Sequence, residues 1–126
     1  MILLDTSVLI DTFSGARRSA SAVRRAIEDG ERLVIATLVL YEWLRGPRVP
    51  EELAAQAALF PEGSAIPFGP IEARKAVELY RAVRRSRGRE VDLAIAACAL
   101  THEARLWTRN VDDFRDVPGL VVERPR

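Results

Sequence analysis

Cysteine, histidine and lysine each occur once, as Cys98, His102 and Lys75. A single cysteine has no partner for an intrachain disulfide and cannot build a thiolate metal site. Cys98 lies within the apolar run Ala94–Leu100, where a small buried residue is expected. With one histidine, a Ser-His-Asp or Cys-His pairing is poorly supported, and zinc lacks ligands. Glycines occur singly at breaks, so no glycine-rich phosphate loop is present. No apolar run approaches the roughly 18–20 residues that span a bilayer. Nor does a basic-then-apolar segment precede the opening ILLD, so the expectation is a cytoplasmic protein without a membrane segment. Aromatics make up 6% of the chain, and Trp43 and Trp107 read as core or interface residues rather than base-stacking platforms.

The remaining composition is that of an ordinary globular chain: 126 residues, 48% hydrophobic and 29% charged, which predicts one domain over residues 1–126. The net charge is +1, short of the basicity of a dedicated DNA-binding module. Nearly all of the 19 basic residues are arginine, the side chain suited to bidentate phosphate contacts. Compositional bias of the genome explains the same excess.

Apolar runs and breakers divide the chain into alternating strands and helices. Ile2-Leu3-Leu4 reads as a buried strand of a parallel sheet. Asp5 stands at its end, before a helix beginning at Thr6. Ser21–Asp29 is an amphipathic helix closed by Gly30, and Leu33–Ala36 a second buried strand. Thr37 is the expected cap of a helix through Leu44, closed by Gly46-Pro47. A helix over Pro50–Phe60 follows, then a short strand at Ala65–Phe68 and a long helix over Pro70–Arg85 whose apolar stripe includes Val83. Asp92–Glu103 is apolar almost all round, hence a buried helix. Leu106–Thr108 is a strand, Val111–Phe114 a short turn, and Leu120–Val122 a last strand. The pattern predicts an α/β fold, three-layer α/β/α with a mostly parallel central sheet.

Three acids stand in apolar settings: Asp5 after the buried strand, Glu42 in Leu38–Leu44, and Asp92 at the start of the buried helix. An isolated ionised carboxylate in such a setting must be paired, hydrogen-bonded or bound to a metal. Each acid also has a local explanation. Asp5 is a good helix cap, Asp92 benefits from a helix macrodipole, and Glu42 has Arg45 at i+3. The segment Thr108–Phe114 adds Asn110, Asp112 and Asp113 directly after a strand. Oxygen ligands without histidine or cysteine point to Mg²⁺ or Mn²⁺. Carboxylates around such ions are the equipment of phosphodiester hydrolysis.

Four segments in order, LLDTSVLID, VLYEWLRG, EVDLAIAACAL and LWTRNVDDF followed by PGLVV, resemble the PIN domain, and more narrowly the VapC-type toxins of toxin–antitoxin pairs. The resemblance runs from Ile2 to Val122. It implies a PIN-like fold and identifies Asp5, Glu42 and Asp92 with the three most regular acids of a Mg²⁺ or Mn²⁺ site. Thr6 matches the hydroxyl residue that follows the first acid. Many relatives carry Asp where this chain has Asn110; others use an acid three residues on, here Asp113. Asp113 is therefore the expected fourth acid and Asn110 a further candidate metal ligand, while Asp112 is read as surface. The implied activity is endoribonuclease cleavage of structured RNA, often tRNA or ribosomal RNA, with a cognate antitoxin and a homodimer as partners. Arg45, Arg48, Arg84, Arg85, Arg87 and Arg89 flank the acids in sequence and are candidates for holding phosphates. For Arg84 and Arg85 the solvated face of a long helix accounts for them equally well. Two rivals remain. A catalytically silent PIN-like module would bind RNA or protein. A phosphotransfer protein would need an acidic pair near the first strand and a well-placed lysine, which this chain lacks.

Overall fold

In the computed structural model, which describes residues 1–126, Ile2–Leu4 form a completely buried strand, β1. It is flanked by β2 (Leu33–Val34) and β3 (Arg105–Trp107), and β4 (Val122–Glu123) lies outside β3. All pairings are parallel, in the order β2-β1-β3-β4, with Leu3 opposite both Val34 and Leu106. A strand covered on both faces needs an unbroken apolar sequence, which is what Ile2-Leu3-Leu4 supplies.

Two helices, α1 (Thr6–Phe13) and α2 (Ala20–Glu28), connect β1 to β2. Four more, α3 (Thr37–Arg45), α4 (Pro50–Leu59), α5 (Pro70–Ala82) and α6 (Glu90–Thr101), connect β2 to β3. The first connection steps one way along the sheet and the second steps back across β1. In the three-layer α/β/α arrangement α1 packs on β1 and α6 on β3, while α3 and α4 pack against α1 and α5 against α6. The reversal lies between β1 and β3, and the crevice beyond the carboxyl ends of those strands is where such sheets place ligands. No helix is long and apolar enough to cross a membrane.

Several boundaries differ from the sequence reading. The second strand stops at Val34, and the expected strand at Ala65–Phe68 is reduced to a single bridge between Ala36 and Ile66. Thr37 is not a cap: Ala36 holds that position, and the Thr37 hydroxyl accepts the Phe68 N–H instead. The long helix ends at Ala82 rather than Arg85; Val83 turns to an extended conformation and stays buried. The buried helix begins at Glu90, which puts Asp92 within its first turn rather than at its start. The last strand is shifted to Val122–Glu123.

Two packing features position the site. In α6 every residue from Leu93 to Ala99 is buried, fixing the helix between α5, α3 and β3. Burying a side chain such as Leu93 or Ile95 contributes about 1.5–3 kcal/mol each. In α3 the anchor is Trp43, fully buried beside Phe13, with its indole N–H donating to the buried Gln56 amide oxygen. Glu42, one residue earlier, is thereby held about 100° round the helix from that anchor.

Candidate active site

The Asp5 backbone N–H donates to the Trp107 carbonyl, so the residue after β1 is joined to the last residue of β3 at the crevice. Asp5 is only 5% exposed, and it occupies the cap position of α1 without making a side-chain cap bond. Its carboxylate is turned to other donors. Thr108 Oγ1, fully buried, donates to Asp5 Oδ2 at 2.7 Å, and Ser7 Oγ donates to the same oxygen at 3.0 Å. Both hydroxyls are themselves fixed: Ser7 Oγ accepts the Arg109 N–H, and Thr108 Oγ1 accepts the Asn110 N–H. Burial pushes the Asp5 carboxyl above its ordinary value; the two hydroxyls draw it back, and the charge of Glu42 adds to the rise.

Glu42 accepts a 2.6 Å hydrogen bond from Thr6 Oγ1 on its Oε1, and its Oε2 lies 3.8 Å from Arg45. The pairing with Arg45 expected from their spacing is present but loose. The short bond to α1 holds the carboxylate toward the crevice.

Asp92 shows the convergence most clearly. Its carboxyl is pushed up to about 6, first by burial and then by the negative charges of Asp5, Asp113 and Glu42, with Arg89 acting in the opposite sense. Acids from four separate parts of the chain thus share one electrostatic neighbourhood. Asp113 is exposed on the 3₁₀ turn Val111–Phe114, anchored by the buried Phe114 that follows it. Asn110 is exposed at the foot of that turn, and Asp112 pairs with Arg115 at the surface.

All four acids offer hard oxygen donors, which suits Mg²⁺ or Mn²⁺, and their mutual repulsion leaves a site that a cation would relieve. No three of them stand at ligating spacing round one point. Mg²⁺ is commonly held by one or two carboxylates with water completing its shell, so an open set of acids fits it.

The arginines divide into two groups. Arg45 lies over the Tyr41 ring as well as beside Glu42, and Arg87 is exposed. Arg84 and Arg85 are exposed and, with Arg115, line a polar cleft of about 790 Å³ that includes Asp113 and contains no hydrophobic residue. Two others already have partners, one over an indole ring and the other within that same cleft. Arg48 folds over Trp43, 4.2 Å from the ring centroid. Arg89, expected at the rim as a phosphate contact, makes a bidentate pair with Asp116 at 2.7 and 2.8 Å. His102 closes α6 and bonds Glu72 at 3.1 Å, away from the acids.

Sequence reading passed over Ser7 as a residue of this site. Its signal was an oxygen-bearing side chain two residues after a strand-end acid, indistinguishable there from a helix first-turn residue.

The profile of the PIN domain matches residues 2–120 of this sequence. The chain belongs to the PIN domain family. A relative in Mycobacterium tuberculosis, named ribonuclease VapC19, is 37% identical over 125 residues, covering 95% of this chain and 97% of its own. Among solved structures, a toxin–antitoxin complex from Klebsiella pneumoniae aligns with a TM-score of 0.73 at 29% identity, over 100% of this chain and 98% of that one. The DNA-bound VapBC of Salmonella typhimurium aligns at 0.82 with 21% identity, over 99% and 98% of the two chains, a likeness of fold. The parallel order β2-β1-β3-β4 is thus a PIN-domain sheet, and the acid-lined crevice at its β1–β3 switch point is the candidate active site of a PIN domain.

Proposed function

We propose that the protein is an endoribonuclease, the toxin of a type II toxin–antitoxin pair, that hydrolyses phosphodiester bonds of structured RNA such as tRNA or ribosomal RNA. The observation that carries the reading is the shared electrostatic neighbourhood of Asp5, Glu42, Asp92 and Asp113 at the carboxyl end of the sheet. Likeness to a relative named a ribonuclease supports the catalytic reading over a silent binding module.

In this reading Asp5, Asp92 and Asp113 hold a Mg²⁺ or Mn²⁺ ion, with Glu42 as a fourth ligand directly or through water and Asn110 as an additional oxygen donor. When bound, the ion supplies a lowered water pKa and neutralisation of charge on the departing ribose oxygen. The chain's own groups do the positioning. Ser7 and Thr108 fix one edge of the Asp5 carboxylate by donating to Oδ2. Thr6 fixes Glu42, whose remaining oxygen orients the attacking water for approach to phosphorus. Arg45 and Arg87, with Arg84 and Arg85 along the adjoining cleft, hold the flanking phosphates.

A cognate antitoxin and a second copy of this chain complete the assembly. Support comes from the neighbour described as a toxin–antitoxin complex. Two apolar clefts separate from the acids add to it, one including Phe13, Val23, Ile27 and Leu59 and the other Phe68, Val77, Tyr80 and Val91.

The test is cleavage of a folded RNA by the purified, antitoxin-free protein with Mg²⁺, with Mn²⁺ and after chelation. Cleavage restored by either ion and abolished by the chelator is the expected result. Cleavage that survives exhaustive chelation overturns the metal-dependent mechanism.

A further inference from the structure

Asp113 is the acid with the least to hold it. Asp5, Glu42 and Asp92 are rooted in a buried strand end or in packed helices, whereas Asp113 is exposed on a single 3₁₀ turn. Within the turn its N–H donates to the Asn110 carbonyl. Besides the packing of the buried Phe114 that anchors the turn, the hold from outside comes from Arg89. Arg89 Nη2 donates to the Asp113 backbone carbonyl at 2.8 Å and to Asp116 Oδ1 at 2.7 Å, while Nη1 donates to Asp116 Oδ2 at 2.8 Å. Arg89 is also the cap residue immediately before α6, three positions before Asp92, delivered by a turn at Ser86–Arg89 in which Gly88 takes a positive φ of 86°. One guanidinium therefore ties the start of the helix that carries Asp92 to the backbone of the residue that carries Asp113.

We propose that Arg89 and Asp116 form a clasp that positions the Asp113 carboxylate opposite Asp92, with Asp116 orienting the guanidinium and Arg89 holding the Asp113 carbonyl. The inference rests on the reading of these acids as a divalent-cation site. A surface ion pair alone contributes little. Here the planar fork is used on both sides: two N–H groups lock onto Asp116, which fixes the plane, and the fixed plane aims Nη2 at a backbone carbonyl. Lysine cannot reproduce that geometry. With this commitment Arg89 is a positioning residue, and holding phosphates falls to the other arginines.

The experiment measures Mn²⁺ affinity, by calorimetry and by the electron paramagnetic resonance of the ion, on the full chain without RNA. It compares the wild type with Asp116→Asn, Asp113→Asn and the double variant, each checked for an intact fold by circular dichroism. Loss of a residue that orients a ligand weakens metal binding about 10- to 100-fold, and Asp116→Asn is expected in that range. In the Asp113→Asn background the same substitution should weaken binding no further, because the carboxylate it positions is gone. Asp116→Glu should recover part of the loss. Arg89→Lys is the second route should Asp116→Asn fail to fold, and the same coupling to Asp113 is expected of it. If Asp113→Asn weakens binding but Asp116→Asn does not, or does so equally in both backgrounds, the clasp is overturned while the cation site stands. If Asp113→Asn leaves Mn²⁺ affinity untouched, Asp113 is no ligand and the clasp falls with that assignment. An Asp116→Asn variant with unchanged Mn²⁺ affinity and a lowered KM for RNA would show Arg89 acting on phosphate instead, which also overturns it.

Discussion

Thr6 and Glu42, separated by 36 positions in sequence, are joined by a hydrogen bond of 2.6 Å from the Thr6 hydroxyl to Glu42 Oε1. Hydrogen bonds to charged groups contribute about 1.5–3 kcal/mol, and this one also sets the direction of a carboxylate whose other partner is an arginine 3.8 Å away. Thr6→Val keeps the shape and removes the donor. Its expected effect is a fall in kcat of about tenfold, equivalent to roughly 1.4 kcal/mol, with a small loss in Tm. Thr6→Ser should retain most of the activity. Equal kcat for the valine and serine variants would show that the hydroxyl does not orient Glu42.

The acid cluster makes the metal-free fold sensitive to pH. Asp92 has its carboxyl raised from 3.8 to about 6, so the folded chain holds this proton more tightly than the unfolded chain does. The stability tied to that proton is fully present below the ordinary value of 3.8, declines as pH rises, and is lost above about 6. Asp92→Asn should therefore raise the Tm of the chelated protein at neutral pH, with the gain vanishing below about pH 4. Mn²⁺ should reverse the order, stabilising the wild type far more than the variant. Melting curves across pH, with and without the ion, check both halves.

Phosphate contacts are read from salt dependence. Removing Arg84 and Arg85 together should weaken binding of a non-cleavable RNA and reduce the slope of log affinity against log salt by roughly 0.7 per arginine. Arg87→Ala belongs to the same class, with KM rising and kcat retained. A slope unchanged by the double substitution would leave Arg84 and Arg85 as solvated residues of the segment after α5.

Local pattern revealed the parts of the site that local pattern controls. Ile2-Leu3-Leu4 reads best as a doubly covered strand and the run Leu93–Ala99 as a buried helix, as the structure has them, so Asp5 and Asp92 stand out as misplaced charges. Glu42 stood out because Leu38–Leu44 offers almost no polar face. What stayed hidden depends on partners far along the chain. Nothing near Arg89 announces Asp116, 27 residues away, so the guanidinium read as a free phosphate contact. The helix end at Ala82 is not legible in the sequence because Val83 continues the apolar stripe; it stays buried although its backbone is already extended. Thr37 looked like a cap, but its hydroxyl is drawn to the Phe68 N–H, on a segment that reaches it only through the tertiary fold.

The most direct measurement is RNA cleavage by Asp5→Asn, with the fold confirmed by its melting transition. Asparagine keeps the size and an oxygen for Thr108 and Ser7, and removes the charge on which the cation site is built. The account predicts a chain that folds as before and cleaves slower by orders of magnitude at saturating Mg²⁺ or Mn²⁺. Cleavage at the wild-type rate by the folded variant would contradict it.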